Sequence, residues 1–267
     1  MPKTQPSTLS DSPGRLTPEG VLQLSCPRSW SEMTQEQLRY ALHVIGCGMY
    51  SSVEGRTLML LRFTGIEVLR KSLGSWACAI RVNEEGKKKA RRHFFSLQSW
   101  QVQDMIRQLE YVDSYKTMNV RLESVQGFKA VDALLHGVRF WDYLNMEKYY
   151  QGYLATKQVK YALGLAQLLY PGGVTDIDDA ELTGCTMWFS YVKLQLSEFF
   201  SHFFKPVPEG GKTVNWLEQM NAQIRALTDG DITKEQAVYD KDCWRALTEL
   251  DAKAREAEEF RKKYPNS

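Results

Sequence analysis

Apolar residues recur three and four apart over most of this 267-residue chain, a period that predicts a mainly helical protein. The pattern is cleanest near its end. Leu217, Met220, Ile224 and Leu227 form one stripe, widened by Trp216. Gly230 follows where a left-handed residue closes a helix, a conformation that costs other L-residues about 1–2 kcal/mol. Thr233 and Gln236 stand at capping-box spacing, and Asp231 and Glu235 put negative charge at the start of a second helix. The seam of that helix carries Cys243, Leu247, Leu250, Ala254 and Ala257, flanked by Trp244 and Phe260. A C-terminal helical hairpin over 212–267 is therefore expected. Two roles fit it: covering the protein's own core, or docking its tapering, alanine-rich end on a partner.

Upstream, Thr34 with Gln37 reads as a capping box opening a helix on Leu38, Ala41, Leu42 and Ile45, which stops near Gly46-Cys47-Gly48. A second helix is expected from Arg56 to Ser72, on Leu58, Leu61, Ile66 and Leu69. Alternation then replaces the helical period. Residues 77–82 and 93–97 read as two strands around a charged turn, 83–92, and 21–24 as another short strand. Val102, Met105, Ile106, Leu109 and Val112 restore the helix, before an expected strand over 119–125 and short helix over 128–135. A tyrosine-rich helical pattern runs from Phe140 to Leu169 and stops at Pro171-Gly172-Gly173. After an acidic connector, 176–181, apolar residues from Met187 to Phe204 cover most of a helix's circumference, as in a buried central helix. The fold class is mainly α, with a small antiparallel β-sheet from the N-terminal half and a helical core followed by the hairpin. Residues 1–20 are proline-rich and poor in large apolar groups, which predicts a disordered tail. Residues 21–205 read as one core domain and 206–211 as a linker.

Composition narrows this little. Apolar content of 43% and charged content of 25% are those of a globular protein, and a net charge of +2 recommends neither nucleic acid nor membrane. No apolar run approaches the roughly 20 residues of a membrane span, and no apolar leader opens the chain. The five scattered cysteines fit free thiols in a reducing cytoplasm better than a disulfide framework.

No catalytic or cofactor constellation emerges. Gly210-Gly211-Lys212-Thr213 resembles the end of a phosphate loop, but position 206 is Pro206, which has no N–H to offer, and a phenylalanine-rich helix precedes it. The four histidines lack partners at zinc-site spacing. Asp176, Asp178, Asp179 and Glu181 lack the glycine and distal glutamate of a calcium loop. The strongest charge run is Lys87, Lys88, Lys89, Arg91 and Arg92. It suits phosphates through counterion release, with Phe94 and Phe95 beside it as base-stacking groups. Strand alternation sends only one of those two rings to each face. The competing expectation is a solvated hairpin tip that discourages edge pairing.

The segments 158–171 (QVKYALGLAQLLYP) and 224–235 (IRALTDGDITKE), with Trp30-Ser31-Glu32-Met33-Thr34 and 244–250 (WRALTEL), resemble helical proteins of bacteriophage and prophage tail modules. Those proteins are similar to tail-assembly chaperones, which bind the tape-measure protein. The resemblance spans Trp30 to the end as a pattern of helix lengths and punctuation. It implies a non-enzymatic assembly factor, without cofactor or metal, that binds a helical partner or itself in a bacterial cytoplasm. Trp216, Met220, Ile224, Trp244, Leu247, Leu250 and Phe260 would supply the contact by helix-in-groove recognition. The alternative is a nucleic-acid-associated protein using 87–92. An enzyme with a spatially assembled site is the third reading.

Overall fold

The computed structural model describes residues 14–16, 21–82, 90–205 and 216–264. Contacts divide the chain into two compact units, Met1–Asp113 and Ser114–Ser267. This division falls elsewhere than the 205/206 boundary read from the sequence. The 206–211 linker, and all of the 1–20 tail except 14–16, lie outside the described residues.

The first unit opens with two antiparallel strands, β1 (Gly14–Leu16) and β2 (Leu22–Leu24). The Thr34 capping box forms as its spacing predicts: Thr34 Oγ1 accepts from Gln37 N at 3.2 Å, and Gln37 Oε1 accepts from Thr34 N at 2.9 Å. Helix α1 (Gln35–Val44) then buries Leu38, Ala41 and Leu42. Helix α2 (Val53–Thr64) is capped by Ser52 and ended by Gly65 in the left-handed region. The helix expected up to Ser72 is thus too long. Residues Glu67–Lys71 instead form β3, because Gly65 turns the chain and the next residues gain ladder hydrogen bonds from a neighbouring strand. That neighbour is β4 (Ser75–Val82), the centre of an antiparallel sheet completed by β5 (Arg91–Gln98). Helix α3 (Ser99–Arg107) follows. Cys78, Ile80 and Val82 on one face of β4 are buried, as are Met59, Leu60, Phe63, Val102 and Ile106 of the helices.

The second unit begins with an irregular stretch. Only a minimal hairpin, β6 (Ser124–Val125) with β7 (Phe128–Lys129), stands where a strand over 119–125 and a helix over 128–135 were expected. Side chains from later helices satisfy its carbonyls instead. Tyr170 Oη donates to Leu122 O at 3.0 Å, Trp188 Nε1 to Ala133 O at 3.0 Å and Trp244 Nε1 to Leu134 O at 2.7 Å. This tertiary supply of donors removes the need for a local ladder.

The aromatic stretch forms two helices, α4 (Phe140–Thr156) and α5 (Val159–Leu169), separated by Lys157 in the left-handed conformation. The short connection makes them antiparallel neighbours, and glycines let them close up. The Tyr161 ring lies against Gly152, and the Tyr149 ring against Gly164. Helix α6 (Asp179–Phe199) is the predicted central helix, burying Cys185, Trp188, Phe189, Val192 and Leu196. Its start corrects the reading of 176–181 as a mere connector. Asp178 Oδ1 accepts from Glu181 N at 2.8 Å, and Glu181 Oε2 accepts from Asp178 N at 3.1 Å. The acidic residues serve the helix terminus.

Three helices close the chain: α7 (Trp216–Thr228), α8 (Glu235–Tyr239) and α9 (Cys243–Lys263). Gly230 is left-handed, as expected. The capping box at Thr233 does not form; Asp231 Oδ1 instead accepts from Thr233 N at 3.0 Å. The long helix starts ten residues on from Thr233, where Asp242 caps it.

A Cβ built on the buried Gly164 would lie 2.6 Å from the Tyr149 ring. Gly164→Ala should therefore force the α4–α5 pair apart and cost about 1–3 kcal/mol, measured as a lower urea midpoint.

Candidate functional site

The seven residues expected to contact a partner divide sharply by position. Ile224, Leu247 and Leu250 are buried in the second unit, so they are core and not an accessible face. Trp244 is half-buried and fully engaged: it stacks on His136 at 4.3 Å, meets Phe200 edge-on and meets Phe199 at a tilt. Trp216 is half-buried beneath the Lys148 ammonium, 5.5 Å from its ring centre, and Met220 is half-buried on the same helix. Only Phe260 is exposed, at 57%. The physical reason is that the stripe has a partner within the unit. α7 packs on α9, and α9 packs on α4.

The join between α9 and the rest of its unit is polar and directional. Asp242 Oδ1 accepts from Trp244 N at 2.9 Å, while Oδ2 accepts from Gly137 N at 2.6 Å. Phe140 N donates to Lys241 O at 2.7 Å, and Cys243 N to Val138 O at 2.8 Å. Farther along α9, Asp251 Oδ1 accepts from His202 N and Phe203 N. Beyond Leu250 the helix sheds its cover. Lys253 pairs with Asp229 at 2.6 Å, Glu258 pairs with Lys205 and His202, and past them Phe260 and Tyr264 lie exposed in contact, centroids 5.0 Å apart. Tyr264 was missed in the sequence; it directly follows the last residue of α9, and its backbone N donates to Phe260 O at 2.9 Å, which keeps the two residues together.

In the first unit, the basic run divides at the edge of the described residues. Lys87, Lys88 and Lys89 lie outside them, whereas Arg91 and Arg92 stand on β5. The register sets Arg92 beside Arg81, Phe94 beside Ala79 and Ser96 beside Ala77; Glu67 of β3 continues the Phe94 row and Arg70 the Ser96 row. Alternation holds as expected: Phe94 is 68% exposed, while Phe95 faces inward and is half-buried. Glu67 pairs with Arg92 at 2.5 Å and with Arg81 at 3.6 Å, and the Arg92 guanidinium lies 5.3 Å from the Phe94 ring centre.

Other candidates for chemistry are modest. His43 Nε2 lies 3.7 Å from Cys47 Sγ, both exposed at the end of α1, so one cysteine–histidine contact does assemble. A hollow of 480 Å³ in the first unit is lined by Leu24, Cys26, Arg28, Glu32, Leu60 and Met105 among others, and that pair is not part of it. Glu32 there is already committed, accepting from Arg28 N at 2.8 Å. The Gly210–Thr213 segment lies outside the described residues. Among the described residues no helix is long and apolar enough to cross a membrane. Comparison with protein-family models, curated proteins and solved structures found no match.

The packing of α9 and the burial of the thiols each carry a prediction. A chain ending at Gly210 should lose the cooperative unfolding of its second unit and bind a hydrophobic dye, because Leu247, Leu250 and Trp244 would be gone from its core. A sharp calorimetric transition for that unit would contradict this. The second concerns alkali. Burial pushes the Cys243 thiol up to about 12 and the Cys26 thiol up to about 11, and raises that of Cys185 as well, from an ordinary 9.0. The unfolded chain ionises these thiols near pH 9 and the folded chain does not. Their stabilisation is therefore complete below pH 9 and is lost as pH rises toward 12. The urea midpoint should fall between pH 9 and 11, less steeply in Cys243→Ala.

Proposed function

We propose that this chain is a non-enzymatic protein-interaction factor whose partner contact is the end of α9. The reading rests on one observation: Phe260 and Tyr264 form an exposed, contacting aromatic pair at the C-terminal end of a helix already anchored by its first half. Burying one such ring contributes about 1.5–3 kcal/mol relative to leaving it in water, so a groove accepting both is a strong anchor. Arg261, Lys262 and Lys263 around the pair suit a partner helix that presents acidic residues beside an apolar stripe.

With the tail-module resemblance, the most concrete form of this reading is an accessory tail protein or tail-assembly chaperone holding a tape-measure-like helical protein. The anchored base of α9 matters to it. A long helix fixed at one end presents its free end without the ordering cost of a flexible arm. The contact differs from the one expected from the sequence, since Ile224, Leu247 and Leu250 serve the fold and only Phe260 of that set remains outside.

The test is co-expression of the full chain with the long helical tape-measure-like protein of the same genome, followed by affinity measurement. Phe260→Ala with Tyr264→Ala should weaken the complex by about 10- to 100-fold. The melting temperature should stay within a degree or two, both rings being exposed. An unchanged affinity in the double variant would remove the proposal.

A further inference from the structure

We infer that the open face of the β3-β4-β5 sheet is a platform for single-stranded nucleic acid, with Phe94 as its stacking residue. Three features of the sheet combine to make it so. The first is shape. On β4 the residue in register with Phe94 is Ala79, which is fully buried, and the one in register with Ser96 is Ala77, which is exposed, so the open surface beside the ring is the low row of Ala77 and Ser96. A base can lie flat on that shelf.

The second feature is charge. Rows on one face of a sheet repeat about every 7 Å, two residues along a strand. Here an aromatic row is flanked on one side by Arg81 and Arg92 and on the other by Arg70. Against these three guanidinium groups the face sets one carboxylate, Glu67, shared between Arg81 and Arg92. Arg70 makes no ion pair with a described residue. The repeat is on the scale of one extended nucleotide, so phosphates either side of a stacked base meet positive charge. The face thus carries net positive charge around an exposed aromatic ring, a pattern that fits a polyanion with π-faces better than an apolar protein surface.

The third feature distinguishes strands from duplexes. Stacking on Phe94 requires an unpaired base, which a single strand offers and a closed duplex does not. The Arg92 guanidinium, already beside the ring, extends the stacking surface by cation–π contact. Recognition of this kind reads the phosphate chain and any base, so it is tolerant of sequence.

The experiment uses the full chain and a fluorescently labelled 20-nucleotide oligo-dT or oligo-U, with a duplex of equal length as comparison, in fluorescence anisotropy. Single strands should bind more tightly than the duplex, with affinity falling steeply as salt rises from 50 to 200 mM. Phe94→Ala should weaken binding about tenfold or more and Phe94→Trp should preserve it. Arg81→Ala with Arg92→Ala should weaken binding and flatten the salt dependence. Absence of single-strand binding at 50 mM salt would overturn the inference. So would binding that survives both the Phe94→Ala and the double-arginine variants, because the contact would then lie elsewhere on the chain. Melting curves of each variant confirm that an exposed position was changed without loss of the fold.

Discussion

The second unit hangs on a single carboxylate. Asp242 uses one oxygen to cap α9, through Trp244 N and Arg245 N, and the other to hold Gly137 N at 2.6 Å. The two tasks fix each other, since the start of the longest C-terminal helix becomes a fixed point on the segment that leads into α4. Around that point, backbone groups pair in both directions, from Phe140 N to Lys241 O and from Cys243 N to Val138 O. Trp244 then reaches back to Leu134 O, and Trp188 from α6 reaches Ala133 O. An unsatisfied buried donor or acceptor costs about 1–3 kcal/mol, so a stretch without regular structure is tolerable only with such a supply. Asp242 sets the position of α9 and with it the Trp244 part of that supply, while Trp188 arrives on α6.

This constraint determines what the helical hairpin can still do. A stripe of Leu247, Leu250 and Ile224 is equally suited to a partner's groove and to its own unit, and periodicity does not separate the two. The polar anchor decides. Once Asp242 and Asp251 fix both ends of the first half of α9, its apolar seam faces inward and the free surface starts beyond Glu258. In the first unit, register has the same deciding role. The alternation of β5 turns Phe95 in and Phe94 out, which converts a charged, aromatic sequence into one core-facing and one solvent-facing row.

Much of the fold was legible in the sequence because its signals were local. The Thr34–Gln37 capping box, the left-handed Gly230, the two long strands and the apolar circumference of α6 are all set within a few residues. The failures share a physical cause. Over 114–139 backbone groups at Leu122, Ala133, Leu134 and Gly137 are satisfied by Tyr170, Trp188, Trp244 and Asp242, up to 110 residues away in sequence, which local propensity does not report. Thr233 and Asp242 both had the chemistry of an N-cap, and only the bond to Gly137 singles out Asp242. Gly65 was a readable stop that the apolar run through Ile66 and Leu69 concealed. Of the candidate contact residues among those described, Phe260, Arg91 and Arg92 emerge exposed, whereas burial of Ile224, Leu247 and Leu250 depends on which surface α9 meets.

The two proposed contacts belong to different units and to different physics, which gives each a thermodynamic signature. Burial of Phe260 and Tyr264 removes apolar surface from water, so association through α9 should carry a negative heat-capacity change. Occupation of the sheet face by a phosphate chain releases counterions, so its logarithmic affinity should fall linearly with the logarithm of salt, at about 0.7 per phosphate neutralised. Arg261, Lys262 and Lys263 add some salt dependence to the first contact, but not a slope that scales with the length of the strand bound. The exposed Ala77 and Ser96 near Phe94 likewise offer little apolar area to bury against protein. Shape and charge thus distinguish the two proposed contacts, although each displays an exposed aromatic ring among basic residues.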